Sequence, residues 1–146
     1  MITPFLVPIK RFDPDLPLPS RESPGAACHD LYSREDVTIE PGTVGYIPLN
    51  IAIQLPVGHW ALLAARSSTH KQGLLPANGV GIVDEDFKGD NDEYRFPLFN
   101  FLSTPVTVKR GARIAQMMIL PSLPFTFEEV ERLENTDRGG FGTTGI

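Results

Sequence analysis

The sequence predicts an all-β domain of many short strands, arranged as a sandwich, barrel or jelly roll. Three observations carry that expectation. The chain has 146 residues, 41% of them hydrophobic and 21% charged, the size and mixture of one domain with its own core. Thirteen glycines and fourteen prolines are spread along the whole length, as frequent tight turns require. Short apolar stretches rich in β-branched and aromatic residues recur between those turn residues.

In chain order, the strand-like stretches are Phe5 to Ile9, Val37 to Ile39, Thr43 to Pro48, Asn50 to Leu55, His59 to Ala65, Gly79 to Val83, Tyr94 to Phe101, Val106 to Val108 and Ile114 to Leu120. Between them, Pro24-Gly25, Pro41-Gly42, Pro56-Val57-Gly58, Gly89-Asp90-Asn91 and Lys109-Arg110-Gly111 let the backbone reverse. One helical turn is expected from Ser67 to Gln72, opened by a serine pair and closed by Gly73. Residues 1–134 read as the barrel. Residues 135–146 turn glycine- and threonine-rich, with Arg138 and Phe141 as large side chains, and read as a flexible C-terminal arm.

The net charge of -5 argues against a surface for polyanionic nucleic acid, which carries a basic face. A small anionic ligand needs only a few local donors. A single cysteine, Cys28, excludes an intrachain disulfide, so a reducing cytoplasm is the expected setting. Met1 to Lys10 lacks the pattern of a secretion signal, and no apolar run has the length of a membrane span. His29, His59 and His70 are spaced without a second metal ligand nearby, so no protein-held zinc is expected.

Five segments combine glycine, charge and small hydroxyls beyond what a core needs. They are Pro24 to Leu31 (PGAACHDL), Ala65 to Ser68 (ARSS), Asn78 to Gly89 (NGVGIVDEDFKG), Arg110 to Met117 (RGARIAQM) and Asp137 to Gly145 (DRGGFGTTG). In order and spacing they resemble the five motifs of the trimeric dUTPase family. Any one alone is weak; five in register over residues 24–145 make coincidence a poor account.

The resemblance implies a jelly-roll-like β-barrel and hydrolysis of dUTP to dUMP and pyrophosphate. The third segment is expected to be a hairpin in which Gly79 and Gly81 let uracil lie against main-chain groups of Gly81, Ile82 and Val83, helped by Asn78. Cytosine would leave buried groups unpaired there, at roughly 1–3 kcal/mol each. Asp84 matches the catalytic carboxylate that activates a water for attack on the α-phosphorus. Phe87 stands where most members carry a tyrosine that stacks on deoxyribose and excludes a 2′-hydroxyl. Arg66, Ser67, Ser68 and Gln116 match phosphate-binding positions, and Arg138 and Phe141 match the arm's γ-phosphate and uracil contacts. Base–aromatic stacking is worth about 1–3 kcal/mol. Magnesium is expected to arrive on the triphosphate. The family forms homotrimers with sites between subunits.

Plainer readings stand beside these. Asp84, Glu85 and Asp86 also suit a solvated turn, Phe87 a core aromatic, Arg66 an ion pair to Asp30, and the arm an inert tail. Arg113 is expected in ion pairs and not at the substrate. Besides Phe87, three further departures from the family pattern are visible: Gly73 comes about one residue early, Cys28 replaces a glycine, and Gly89 to Tyr94 lengthens a turn by about three residues. That acidic turn reads as a solvated loop more readily than as a cation site. Two rival functions remain. A dCTP deaminase, or a bifunctional enzyme, would need a glutamate about ten residues past Asp84, where Tyr94 stands and Glu93 is out of phase. A nucleotide-switched regulatory protein of the same fold would bind without turnover.

Overall fold

Hydrogen-bonded antiparallel pairs organise the computed structural model, which describes residues 4–142. The strands are β1 (Ile9–Arg11), β2 (His29–Tyr32), β3 (Val37–Ile39), β4 (Val44–Pro48), β5 (Ile51–Ile53), β6 (His59–Ala65), β7 (Leu74–Pro76), β8 (Gly81–Val83), β9 (Arg95–Asn100), β10 (Val106–Val108) and β11 (Arg113–Pro121), with a 3₁₀ turn at Thr69–Gln72. They form a four-stranded sheet β2-β11-β6-β8, a three-stranded sheet β4-β9-β7, and two ribbons, β1-β5 and β3-β10. The all-β expectation holds.

Alternation places the core. In β9, Phe96, Leu98 and Asn100 are buried while Arg95 is exposed, the period of two that a half-buried strand shows. Leu31, Ile47, Leu49, Ile51, Leu74, Phe96, Leu98 and Ile114 meet in one cluster. β11 pairs with β6 without a break from Ala115↔Ala65 to Pro121↔His59. Against β2 its register slips between Arg113 and Ala115, a bulge that bends the strand end.

The structure departs from the sequence reading at four places. The first strand is Ile9–Arg11, not Phe5 to Ile9: Pro8 has no N–H to give a ladder, though its carbonyl accepts from Gln54. β2 and β7 were not expected. β7 and β8 do not form a hairpin, since β7 pairs with β9 and β8 with β6; the turn at Asn78-Gly79 joins two sheets. The chain also leaves regular structure after Pro121, and every described residue from there to Gly142 is exposed, so the exposed segment begins well before residue 135.

The 3₁₀ turn follows the expected plan with one change. Gly73 closes it in the left-handed region at φ 82°, but Ser68, at its start, makes no side-chain capping bond. Its hydroxyl is left for other partners.

Candidate active site

β8 lies on the edge of its sheet, with Gly81 opposite Leu63 and Val83 opposite Ala61. A Cβ on Gly81 would stand 3.0 Å from the Leu63 Cβ, so cross-strand packing already explains that glycine. Gly79 has φ +73°, a region that favours glycine in the turn. Asn78 is exposed at its mouth, and Ile82 points outward at 65% exposure.

Asp84 follows β8 directly and is exposed. Its carbonyl accepts the Phe87 N–H at 3.2 Å, closing a tight turn. Glu85 is not a free carboxylate: its Oε2 accepts the Gly58 N–H at 2.8 Å, tying the acid turn to the loop before β6. Gly58 in turn accepts the Ser122 N–H at 2.8 Å. Phe87 is 40% exposed and stands at the rim of an open cleft of about 550 Å³, not in the core. Asp84, Ile82, Tyr46, Tyr94 and Pro97 share that cleft.

The lengthened turn is not a solvated loop throughout. Glu93 is buried and accepts from Arg34 Nε at 2.7 Å and Arg34 Nη2 at 3.1 Å, and from the Asn50 N–H at 3.1 Å. This paired carboxylate, together with burial acting the other way, holds the Arg34 guanidinium above its ordinary pKa. Asp92 accepts the Gly89 N–H at 2.7 Å. Sequence reasoning missed Arg34 because its partner lies 59 residues away.

A second group gathers at the other end of β6. Arg66 Nε stands 3.3 Å from Asp30 Oδ1, and its Nη1 donates to the Arg113 carbonyl at 3.2 Å. The ion-pair reading of Arg66 is thus realised in this chain. Arg113 makes the expected ion pairs, with Glu22 at 2.8 Å and Asp30 at 3.4 Å. Gln116 is half-buried opposite Ala64 and donates to the Ala65 carbonyl at 2.8 Å, which leaves its amide oxygen open. Ser67 is exposed and Ser68 half-buried beside it. Burial first, then the charge of Asp30, pushes the Cys28 thiol up, so it stays protonated and a poor nucleophile.

These two groups do not meet within one chain. By the ladder register Asp84 falls one residue past the Val83↔Ala61 pair, level with Trp60, whereas Arg66 lies one residue beyond Ala65. Six residues of extended strand span about 20 Å. Arg138 and Phe141 are exposed on the arm; Thr143, Thr144 and Gly145 of its motif lie outside the described residues. Among the described residues no group of three or more His, Cys, Asp or Glu side chains is placed to hold a metal, and no helix is long and apolar enough to cross a membrane.

The fold is an antiparallel β-barrel, and the five segments fall in distant parts of it. The family description "dUTPase" matches residues 15–145. Over 147 aligned residues the chain is 43% identical to the deoxyuridine 5'-triphosphate nucleotidohydrolase of Corynebacterium diphtheriae, covering 98% of this chain and 95% of that one. Its fold matches a point mutant of the dUTPase of Staphylococcus bacteriophage 80alpha solved with dUpNHpp, with a TM-score of 0.83 at 21% identity, over 97% of this chain and 99% of the other. It also matches a point mutant of the dUTPase from phage phi11 of S. aureus, described with a structural Mg(II) ion, with a TM-score of 0.78 at 19% identity, over 90% and 100%. The chain belongs to the dUTPase family.

Proposed function

We propose that the chain hydrolyses dUTP to dUMP and pyrophosphate, with Asp84 as general base. The observation that carries this reading is the exposed Asp84 at the end of β8, sharing one cleft with Phe87 and following the Asn78-Gly79 turn. Uracil meets the main chain of Gly81, Ile82 and Val83 with help from Asn78, and Phe87 stacks on the sugar. Asp84 accepts a proton from a water whose oxygen bonds to the α-phosphorus as the bond to the bridging oxygen breaks in line. Pyrophosphate leaves with that oxygen.

Ser67, Ser68 and the Gln116 amide hold phosphate oxygens as neutral groups. The cationic charge beside them is offset, because Asp30 and Glu22 already pair with Arg66 and Arg113. Such a donor set suits a triphosphate that brings its own divalent cation. Mg2+, held through the phosphates and its waters, would neutralise charge on the phosphate chain. Arg138 adds the remaining positive charge at the γ-phosphate, and Phe141 covers uracil.

A homotrimer with sites between subunits accounts for two further observations. The roughly 20 Å between Asp84 and Arg66 closes if the two come from different chains. The outer face of β4-β9-β7 also carries Val44, Tyr46 and Leu75, each at least 43% exposed, and Tyr46 and Pro97 are shared with the cleft. A second copy seated on that face stands at the cleft's rim. The exposed segment between Pro121 and the arm adds Leu123, Phe125, Phe127 and Leu133, all exposed and in need of cover. We place this assembly in a reducing cytoplasm, with neither nucleic acid nor membrane as partner.

Deamination of dCTP is disfavoured because Glu93 is engaged by Arg34 and the Asn50 amide. The test measures pyrophosphate from dUTP, dCTP and UTP, and uracil-nucleotide formation from dCTP. Asp84→Asn is expected to keep dUTP binding while kcat falls about 10²- to 10⁴-fold. Tight binding without turnover in the unaltered chain would instead make it a nucleotide-switched regulator.

A further inference from the structure

Tyr94 belongs to the cleft but to no role assigned above. It is 1% exposed, and its hydroxyl is a buried side-chain polar atom with no hydrogen-bond partner among the described residues. A tethered phenol is therefore not what fixes this ring. Its main chain is: the Tyr94 N–H donates to the Ile51 carbonyl and its carbonyl accepts the Leu49 N–H, both at 2.8 Å. The residue before it, Glu93, is clamped by Arg34 and Asn50.

Phe87 is built in the opposite manner. It hangs from a tight turn by its N–H to the Asp84 carbonyl at 3.2 Å and keeps 40% of its surface open. What faces its ring is Tyr94, at 6.1 Å between centroids and 36° between planes, inside the range of about 4.5–7 Å in which aromatic pairs attract. A firmly bonded ring thus underlies a loosely bonded one.

We propose that Tyr94 is a positioning residue for sugar selection: its ring is the floor that sets the angle at which Phe87 meets deoxyribose and excludes a 2′-hydroxyl. This rests on the reading of Phe87 as the sugar contact. The lengthened Gly89 to Glu93 turn then has a purpose. Through the Arg34–Glu93 pair it anchors that floor.

The test compares kcat/KM for dUTP and UTP in the full chain and its variants. Tyr94→Met is expected to lower the dUTP:UTP ratio about 3- to 10-fold, chiefly through KM, with Tyr94→Leu as a second aliphatic should the first not fold. Tyr94→Phe, which keeps the ring, is expected to keep the ratio of the parent and to melt no lower. In a Phe87→Ala background, Tyr94→Met is expected to cause no further loss. An unchanged ratio in folded Tyr94→Met and Tyr94→Leu, a loss in Tyr94→Phe, or an undiminished effect in the Phe87→Ala background would overturn the proposal. If Phe87→Ala alone left the ratio unchanged, the sugar-contact reading would fall and this proposal with it. A ratio lost in Phe87→Ala but kept in Tyr94→Met would sink the proposal and leave that reading standing.

Discussion

Mixing two inactive variants is the sharpest probe of the proposed division of the site between subunits. Asp84 and the Ser67 group sit at opposite ends of β6, about 20 Å apart along an extended strand. A subunit carrying Asp84→Asn supplies intact Ser67 and Gln116, and one carrying Ser67→Ala with Gln116→Ala supplies intact Asp84. If each site takes Asp84 from one chain and Ser67 and Gln116 from another, random assembly at equal amounts leaves both contributions intact in about one quarter of the sites. If one chain supplied both, no intact site would form. The assay is pyrophosphate release from dUTP after the two variants are unfolded together and refolded, with each variant refolded alone as the control. Recovery to about a quarter of parental activity is expected. Activity no greater than the sum of the two controls, in mixed oligomers confirmed by mass, would refute the divided site.

Deleting residues 137–146 is expected to weaken dUTP binding about 5- to 150-fold through lost stacking alone and to lower kcat as well; a truncated chain with parental kinetics would remove the arm's role. Arg34→Ala leaves Glu93 buried without its guanidinium, and with Arg34 itself about a third exposed the expected cost is about 2–3 kcal/mol, read as a melting point lower by about 5–10 °C at fixed protein concentration. Acid sensitivity has a defined direction. The Arg110 guanidinium holds Asp13 below the ordinary 3.8, and the Arg110 amide, with Lys109, does the same for Asp36. Both contributions are therefore complete above pH 3.8 and lost as pH falls through the depressed folded values. Denaturant titrations between pH 2 and 5 are expected to show a flatter loss of stability in Asp13→Asn/Asp36→Asn than in the parent, roughly in that window.

Strands whose own side chains alternate were readable in advance; those held by distant partners were not. β9 shows its buried face in Phe96, Leu98 and Asn100, whereas β2 carries Asp30, a poor strand residue. Asp30 is tolerated there because Arg66 and Arg113 come to it from β6's end and from β11. β7 is three residues long and ends in Pro76, too little to register as a strand. The roles expected of Asp84 and Phe87 came from the family resemblance; by residue type and spacing alone they also suit a solvated turn and a core aromatic. A site shared between subunits was expected from the resemblance alone; the placing of Asp84 and Arg66 level with opposite ends of β6 was not readable, because it follows from the pairing of Val83 with Ala61. The Arg34–Glu93 clamp was hidden for the same reason: both residues look like ordinary surface charges until the fold joins them.

Gly58 holds the Glu85 carboxylate on its amide and the Ser122 amide on its carbonyl. The mooring of the acid turn and the departure of the arm thus share one peptide neighbourhood. Neither can be re-sited alone: moving the arm's exit, or inserting residues before β6, displaces the ground on which position 84 stands. An engineer wishing to graft a different arm onto this barrel has to carry that small knot across with it.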